Sequence, residues 1–208
     1  MDVIELDRIA VHEASRVVEL ARDGDWERDT PCAGWTLRRL VAHMAAQHHG
    51  FAAAAHGSGG ETTHWREPED LADPARVHRT AATAVLEAFA EQGVQEREFV
   101  LPELGGSFPG RVAVGFHFID YVVHAWDVAA TLGVDLDLPH DVLVAALAVA
   151  RRVPTDPALR GPGFAFAPVL KVAEGSGPLE EALRLLGRAP ERWPGGASEN
   201  ARKETPRL

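Results

Sequence analysis

Along the chain, hydrophobic positions first form an imperfect helical stripe from about Ile4 to Arg22, carried by Ile4, Ile9, Val11, Val17, Val18 and Leu20, with Gly24 ending it. The stretch DTPCAGWT then breaks the pattern with Pro31 and Gly34. Thr36 stands where an N-cap is needed before LRRLVAHMAAQHHGFAAAAHG, which predicts a second helix to about His56. Residues 57–73, GSGGETTHWREPEDLAD, read as a loop too polar and too rich in Gly and Pro to pack. A third helix is predicted from about Pro74, with Val77, Ala81, Ala84, Val85, Ala88 and Phe89 inward and Gly93 closing it. VLPELGGSFPG reads as a connection into a fourth helix near Arg111 to Leu132, stopped by Gly133. A fifth helical pattern, HDVLVAALAVARRV, starts at about His140.

Four long amphipathic helices joined by connections of moderate length predict a mainly α protein, a four-helix bundle with an additional helix. A parallel sheet lacks its strands. Only GFAFAPVLKVA, Gly163 to Ala173, looks extended, and the short helical run PLEEALRLLG follows it, which together predict a small C-terminal α/β-type appendage. The expected division is a helical bundle over 1–160, an appendage packed on it over 161–194, and a disordered tail over 195–208 that has almost nothing to bury. No internal repeat is present.

Composition narrows the partners. Lys plus Arg is 21 and Asp plus Glu is 31, giving a net charge of −10 over 208 residues with no basic cluster, so nucleic acid is not expected. The start, MDVIELDRIAVHEA, carries charges where a signal sequence needs an apolar core, and no run of about 18 apolar residues suggests a membrane span. The expectation is a cytoplasmic chain acting on a small molecule, and a homodimer is compatible with it. The single cysteine, Cys32, leaves no internal disulfide or thiolate cluster, so any metal must use His and carboxylate. Cys32 precedes His43 by a run that spans about 16 Å if helical, and reads as a small buried turn residue rather than a nucleophile.

The fourth helix carries the candidate chemistry. At about 100° per residue, His117, Asp120, His124 and Asp127 fall within about 80° of arc on one face. Phe116, Phe118, Ile119, Val122 and Val123 flank them, so the stripe does not read as a solvated face and is expected to point into a lined cavity. Asp120 and His124, at i and i+4, have the spacing that lets two side chains reach one ion, and equally that of a plain intrahelical ion pair. His43 on the second helix shares a face with Leu37, Leu40, Val41 and Met44, and is the candidate third ligand, because bundle-core sites draw ligands from facing helices. A core histidine bonded to a buried polar group is the competing reading. His48, His49 and His56 are weaker candidates, the first two reading as exposed.

The runs TPCAGWTLRRLVAHM, FPGRVAVGFHFIDYVVHAWDVAATLG and LLGRAPERW closely resemble the DinB-like superfamily, over most of residues 1–193. That superfamily includes the N-terminal metal-binding domain of mycothiol-dependent maleylpyruvate isomerase, and the chain resembles specifically a small uncharacterised actinobacterial-type branch of it. The resemblance implies a bundle with a divalent metal held by one His of the second helix and a carboxylate-x-x-x-His pair of a later one. These are His43, Asp120 and His124. Zn²⁺ is the first expectation, with Ni²⁺ or Fe²⁺ also accepted by such donors.

The same resemblance implies mycothiol or a similar small thiol as cofactor in a transferase or isomerase reaction. The alternative is a bundle that binds a metal or small molecule without turnover, as a sensor or store. Two departures stand out: Asp120 occupies the place of a Glu, and the C-terminal part is short. Asp127 is a candidate to orient His124 through its ring N–H, and His117 a candidate fourth ligand, general base or pocket residue. Arg111 is a candidate partner for a substrate carboxylate, with an exposed helix-start arginine the simpler account. Trp35, Tyr121 and Trp126 read as core aromatics. Metal affinity is expected to fall below about pH 6.5, the ordinary imidazole value. Truncation before about Gly163 is expected to keep the metal and lose thiol or substrate.

Overall fold

A computed structural model describes residues 1–69, 71–161 and 165–193. Helix α1 spans Val3–Val18, capped by the Asp2 carboxylate, which accepts from the Val3 N–H at 2.7 Å. Its buried face is Asp7, Ala10, Val11, Glu13, Ala14, Val17 and Val18, so an acid sits in what reads as an apolar stripe, while Leu20 lies beyond the helix and is exposed. Helix α2 spans Leu37–Ala55, where the Thr36 hydroxyl caps the Arg39 N–H as its position predicts. Helix α3 spans Pro74–Phe89, with Asp73 accepting from the Arg76 N–H and Pro74 opening the first turn.

The connection VLPELGGSFPG folds instead as a hairpin. Strands β1 (Glu98–Leu101) and β2 (Gly106–Pro109) pair antiparallel, with Phe99 opposite Phe108. Four residues per strand are too few for alternation to stand out beside Gly and Pro, yet Phe99 and Leu101 are buried. Helix α4 then runs Gly110–Leu132 and ends where Gly133 adopts φ +73° and returns its N–H to Ala129 O. Helices α5 (His140–Ala150) and α6 (Pro178–Leu185) follow.

Helix α1 packs along α4 and α2 along α3, with α1 against α3 and α2 against α4, which closes the four-helix bundle. Helix α5 lies on α4 and α1 and carries α6, to which Arg151 pairs through Glu181 at 2.7 Å. Residues 165–173 form no strand. The small sheet is the 98–109 hairpin, earlier in the chain than the sequence suggests. The remainder of the expected extended segment, 163–164, and the 195–208 tail lie outside the described residues. The 57–73 loop does pack in part: Trp65 donates to Gly59 O at 2.8 Å and sets its ring edge-on to Phe51. Among the described residues, no helix is long and apolar enough to cross a membrane.

Helix α4 is the axis of the fold. From His117 to Thr131 every residue is buried except Asp120. Its entry is equally tight, since a Cβ on Gly110 would lie 2.0 Å from the Val94 carbonyl oxygen, whereas one on Gly115 meets nothing within 4 Å. Gly115→Ala is therefore expected to stabilise the protein by about 0.5–1 kcal/mol, the helix-interior cost of glycine, and Gly110→Ala to destabilise it. Urea unfolding of the two variants checks the opposite signs.

Candidate metal centre

Helix α2 presents His43 toward α4, where Asp120 and His124 lie one turn apart. One ligand atom from each of the three stands within 4.8 Å of the others. The His43 and His124 rings meet edge-on, centroids 5.4 Å apart. His124 is buried while His43 and Asp120 are partly open. Beside the donors, the Trp35 ring lies 4.8 Å from that of His43, and the Arg39 guanidinium stacks 4.8 Å over Trp35. Trp35 packs against the core as its sequence reading expects, and also touches His43. Trp126 and Tyr121 are buried in the core.

His124 is held from both ring nitrogens. Its Nε2 stands 3.3 Å from Asp120 Oδ1 and its Nδ1 3.0 Å from Asp127 Oδ2. Arg188 completes the chain, donating from Nε and Nη2 to the two Asp127 oxygens, each at 2.9 Å. Burial alone would push His124 below its ordinary value, but Asp120 and then Asp127 outweigh it and raise the imidazole to about 9. Burial likewise opposes the Asp120 charge, yet His124 brings that carboxyl down to about 2. Asp127 is also held low against burial, by Arg188 first and His124 second. His43 is driven to about 4 by burial, reinforced by the His124 charge, and so offers a neutral lone pair.

The resulting arrangement fits a cation. With no metal, a proton on His124 lies between two carboxylates beside a neutral imidazole, and a divalent ion can take that proton's place with Asp120 and His43 already in ligating form. Asp127 then holds the other ring nitrogen of His124, as outer carboxylates of metal-ligating histidines do.

The family described as the mycothiol maleylpyruvate isomerase N-terminal domain matches residues 8–129. Two proteins of Mycobacterium tuberculosis described as uncharacterised, MT0763 and Rv0738, are each 32% identical to the chain over 165 residues, covering 76% of it and 82% of their own length. The chain belongs to this isomerase N-terminal domain family. Crystal structures of the mycothiol-dependent maleylpyruvate isomerase and of one of its mutants share the fold. Their TM-scores are 0.52 and 0.56 at 17% and 14% identity, and the chain covers 66% of each.

Within this family fold, the other candidates separate. His117 does not join the triad, because both its ring nitrogens are engaged elsewhere, by Asp7 at 2.6 Å and His48 at 3.1 Å. His48, read from sequence as exposed, is fully buried and stacks on Tyr121, since the Ala-rich end of α2 is covered on nearly every side. His49 and His56 are exposed, the latter paired with Glu91. Arg111 is an exposed residue about 14 Å along α4 from Asp120 by helical rise, away from the donor set. The two ends of the stripe meet protein partners, His117 with Asp7 and His48, and Asp127 with His124 and Arg188. A groove of about 590 Å³ lined by His49, His56, His64 and Glu91 touches none of the three donors.

Two residues beside the site, Arg188 and Glu103, escape sequence reasoning, and Cys32 lies nearer to it than expected. Arg188 carries no periodic signal, although it lies within LLGRAPERW. Glu103, in the exposed hairpin turn, bends its carboxyl onto Gln47 at 3.3 Å, and burial followed by the Asp120 charge raises its pKa. Cys32 feels the charges of Arg188, Asp127 and Asp120, so the fold brings it nearer the site than helical length implies. Burial raises its thiol to about 11, which leaves it a poor nucleophile at neutral pH.

Proposed function

We propose that the chain binds one divalent ion through His43, Asp120 and His124, Zn²⁺ before Ni²⁺ or Fe²⁺, and serves in the cytoplasm as a transferase or isomerase that uses mycothiol or a similar small thiol on a small-molecule substrate. The observation that carries this reading is the convergence of three donors from two helices, two of them partly exposed, in a member of this family. A divalent ion held there would supply Lewis acidity that brings the pKa of a small thiol or a water toward neutrality. Around it, Asp127 and Arg188 keep His124 oriented and Trp35 lies against His43, so residues 1–160 supply the donors while Arg188 of the C-terminal segment supports them. The absence of a low-pKa cysteine near the donors is consistent with the thiol arriving from outside.

Metal analysis of protein purified without a His-tag or chelating resin is expected to give one divalent ion per chain. Alanine at His43, Asp120 or His124 should each weaken metal binding by more than the about 10–100-fold seen for an outer-shell partner, with helical circular dichroism retained. Full occupancy in all three variants would place the site elsewhere. A thiol-dependent reaction that needs the metal and vanishes in His43→Ala supports the enzyme reading. Metal binding with no turnover across thiol and electrophile panels supports a bundle that senses or stores.

A further inference from the structure

A second polar cluster crosses the bundle core and takes no part in the metal centre. Asp7 on α1 stands 2.6 Å from His117 Nδ1 on α4, and His117 Nε2 stands 3.1 Å from His48 Nδ1 on α2. His78 on α3 sets its ring 5.1 Å from that of His48. All four are buried, and Tyr121, Phe51 and Phe89 wall them with ring contacts. Four of their polar atoms have no protein partner: Asp7 Oδ2, His48 Nε2 and both ring nitrogens of His78. A buried polar atom left unpaired costs about 1–3 kcal/mol, and a polar pocket with several such atoms recruits internal water.

We propose that Asp7, His117 and His48 form a buried proton relay, which loads and unloads Asp7 by way of the unpartnered His48 Nε2. The geometry couples the two imidazoles, since one N–H and one lone pair must meet across the 3.1 Å contact. With Asp7 ionised, His117 donates from Nδ1 to the carboxylate and accepts at Nε2 from His48 Nδ1–H, leaving a lone pair on His48 Nε2. A proton arriving from water binds that lone pair. His48 then passes its Nδ1 proton to His117 Nε2, and His117 passes its Nδ1 proton to Asp7 Oδ1. One proton enters and one arrives, both imidazoles end neutral with the hydrogen on Nε2, and the core charge goes from −1 to 0.

The surroundings favour Asp7 as the stopping place. Burial raises its carboxyl against the pull of His117. Burial also drives His48 well down, with His78, His117 and His49 adding to it, and takes His78 to about 4, so neither ring holds the proton as imidazolium. From α4, Tyr121 stays protonated, pushed far up by burial and by the charges of Asp120 and Asp7. Loading Asp7 on α1 therefore converts His48 Nε2 from acceptor to donor in the pocket it shares with α3.

Nitrogen NMR of the histidine rings in the full-length chain, followed with pH alongside the Asp7 carboxyl carbon, tests the relay. His117 and His48 should carry hydrogen on like-named nitrogens throughout, Nδ1 at high pH and Nε2 at low pH, exchanging at one midpoint shared with Asp7. In Asp7→Asn, with the fold verified by its amide spectrum, the His48 tautomer should lose its pH dependence. Imidazolium on either ring, separate midpoints, no exchange before acid unfolding, or continued exchange of His48 in Asp7→Asn would each overturn the proposal.

Discussion

Arg188→Ala is expected to destabilise the protein by about 3–5 kcal/mol, because it strips the bidentate partner from a carboxylate that is completely buried. For a chain of this size that corresponds to a fall in Tm of about 6–20 °C. Asp127 would retain only His124, and the histidine would then be drawn toward the carboxylate rather than toward Asp120. Metal affinity should therefore drop by about 10–100-fold, as for loss of an outer carboxylate's support. Arg188→Lys should recover part of the stability, since a lysine supplies charge but not two parallel N–H donors. Urea unfolding with an unchanged slope, paired with metal titration of the same variants, measures both effects. A loss below about 1 kcal/mol would show that the pair is compensated locally and that Arg188 is dispensable.

This contact also revises the expected effect of truncation. Sequence order suggests that residues beyond Gly163 only wall a pocket, so that their removal spares the metal. The fold instead sends Arg188 from beyond α6 into the core of the bundle, where it fixes the residue that fixes His124. Removing the segment should weaken metal binding along with whatever substrate contacts it makes.

What the sequence made legible was local. Helical periodicity, the Thr36 cap and the Gly133 stop place α2 and α4, and i to i+4 spacing pairs Asp120 with His124. The choice of His43 as third donor followed from its shared face with Leu40 and Met44. What stayed hidden depends on partners far away in the chain. Asp7 meets His117 across 110 residues and Arg188 meets Asp127 across 61, and no periodicity encodes either. The polar stripe on α4 reads from sequence as facing a lined cavity; in the fold it is divided between the Asp7–His117–His48 cluster at one end and the candidate metal donors at the other, according to which helix faces each turn. The hairpin was missed because its strands are short and its turn is written in Gly and Pro, which read equally as a loop.

The pH dependence of metal binding is the sharpest consequence of that division. Taken singly, the ligand histidines suggest loss of metal below about pH 6.5. In the folded site, however, the proton to be displaced is the one on His124, held to about 9 by Asp120 and Asp127, while His43 at about 4 and Asp120 at about 2 are ready at neutral pH. Between pH 6 and 8 one proton should leave for each ion bound, so apparent affinity should rise about tenfold per unit, or about 100-fold over the range, and level off above about 9. The metal-free protein should show the opposite slope. A histidine whose folded pKa is raised contributes stability that is fully present below about pH 6.5 and is lost as pH climbs through about 9, here of order 3 kcal/mol. Chelator competition at several pH values, calorimetry in buffers of different ionisation enthalpy, and urea unfolding of stripped and loaded protein measure the two slopes. Affinity that is flat from pH 6 to 8 would mean that His124 is already neutral before the ion arrives, and that Asp120 and Asp127 do not share its proton.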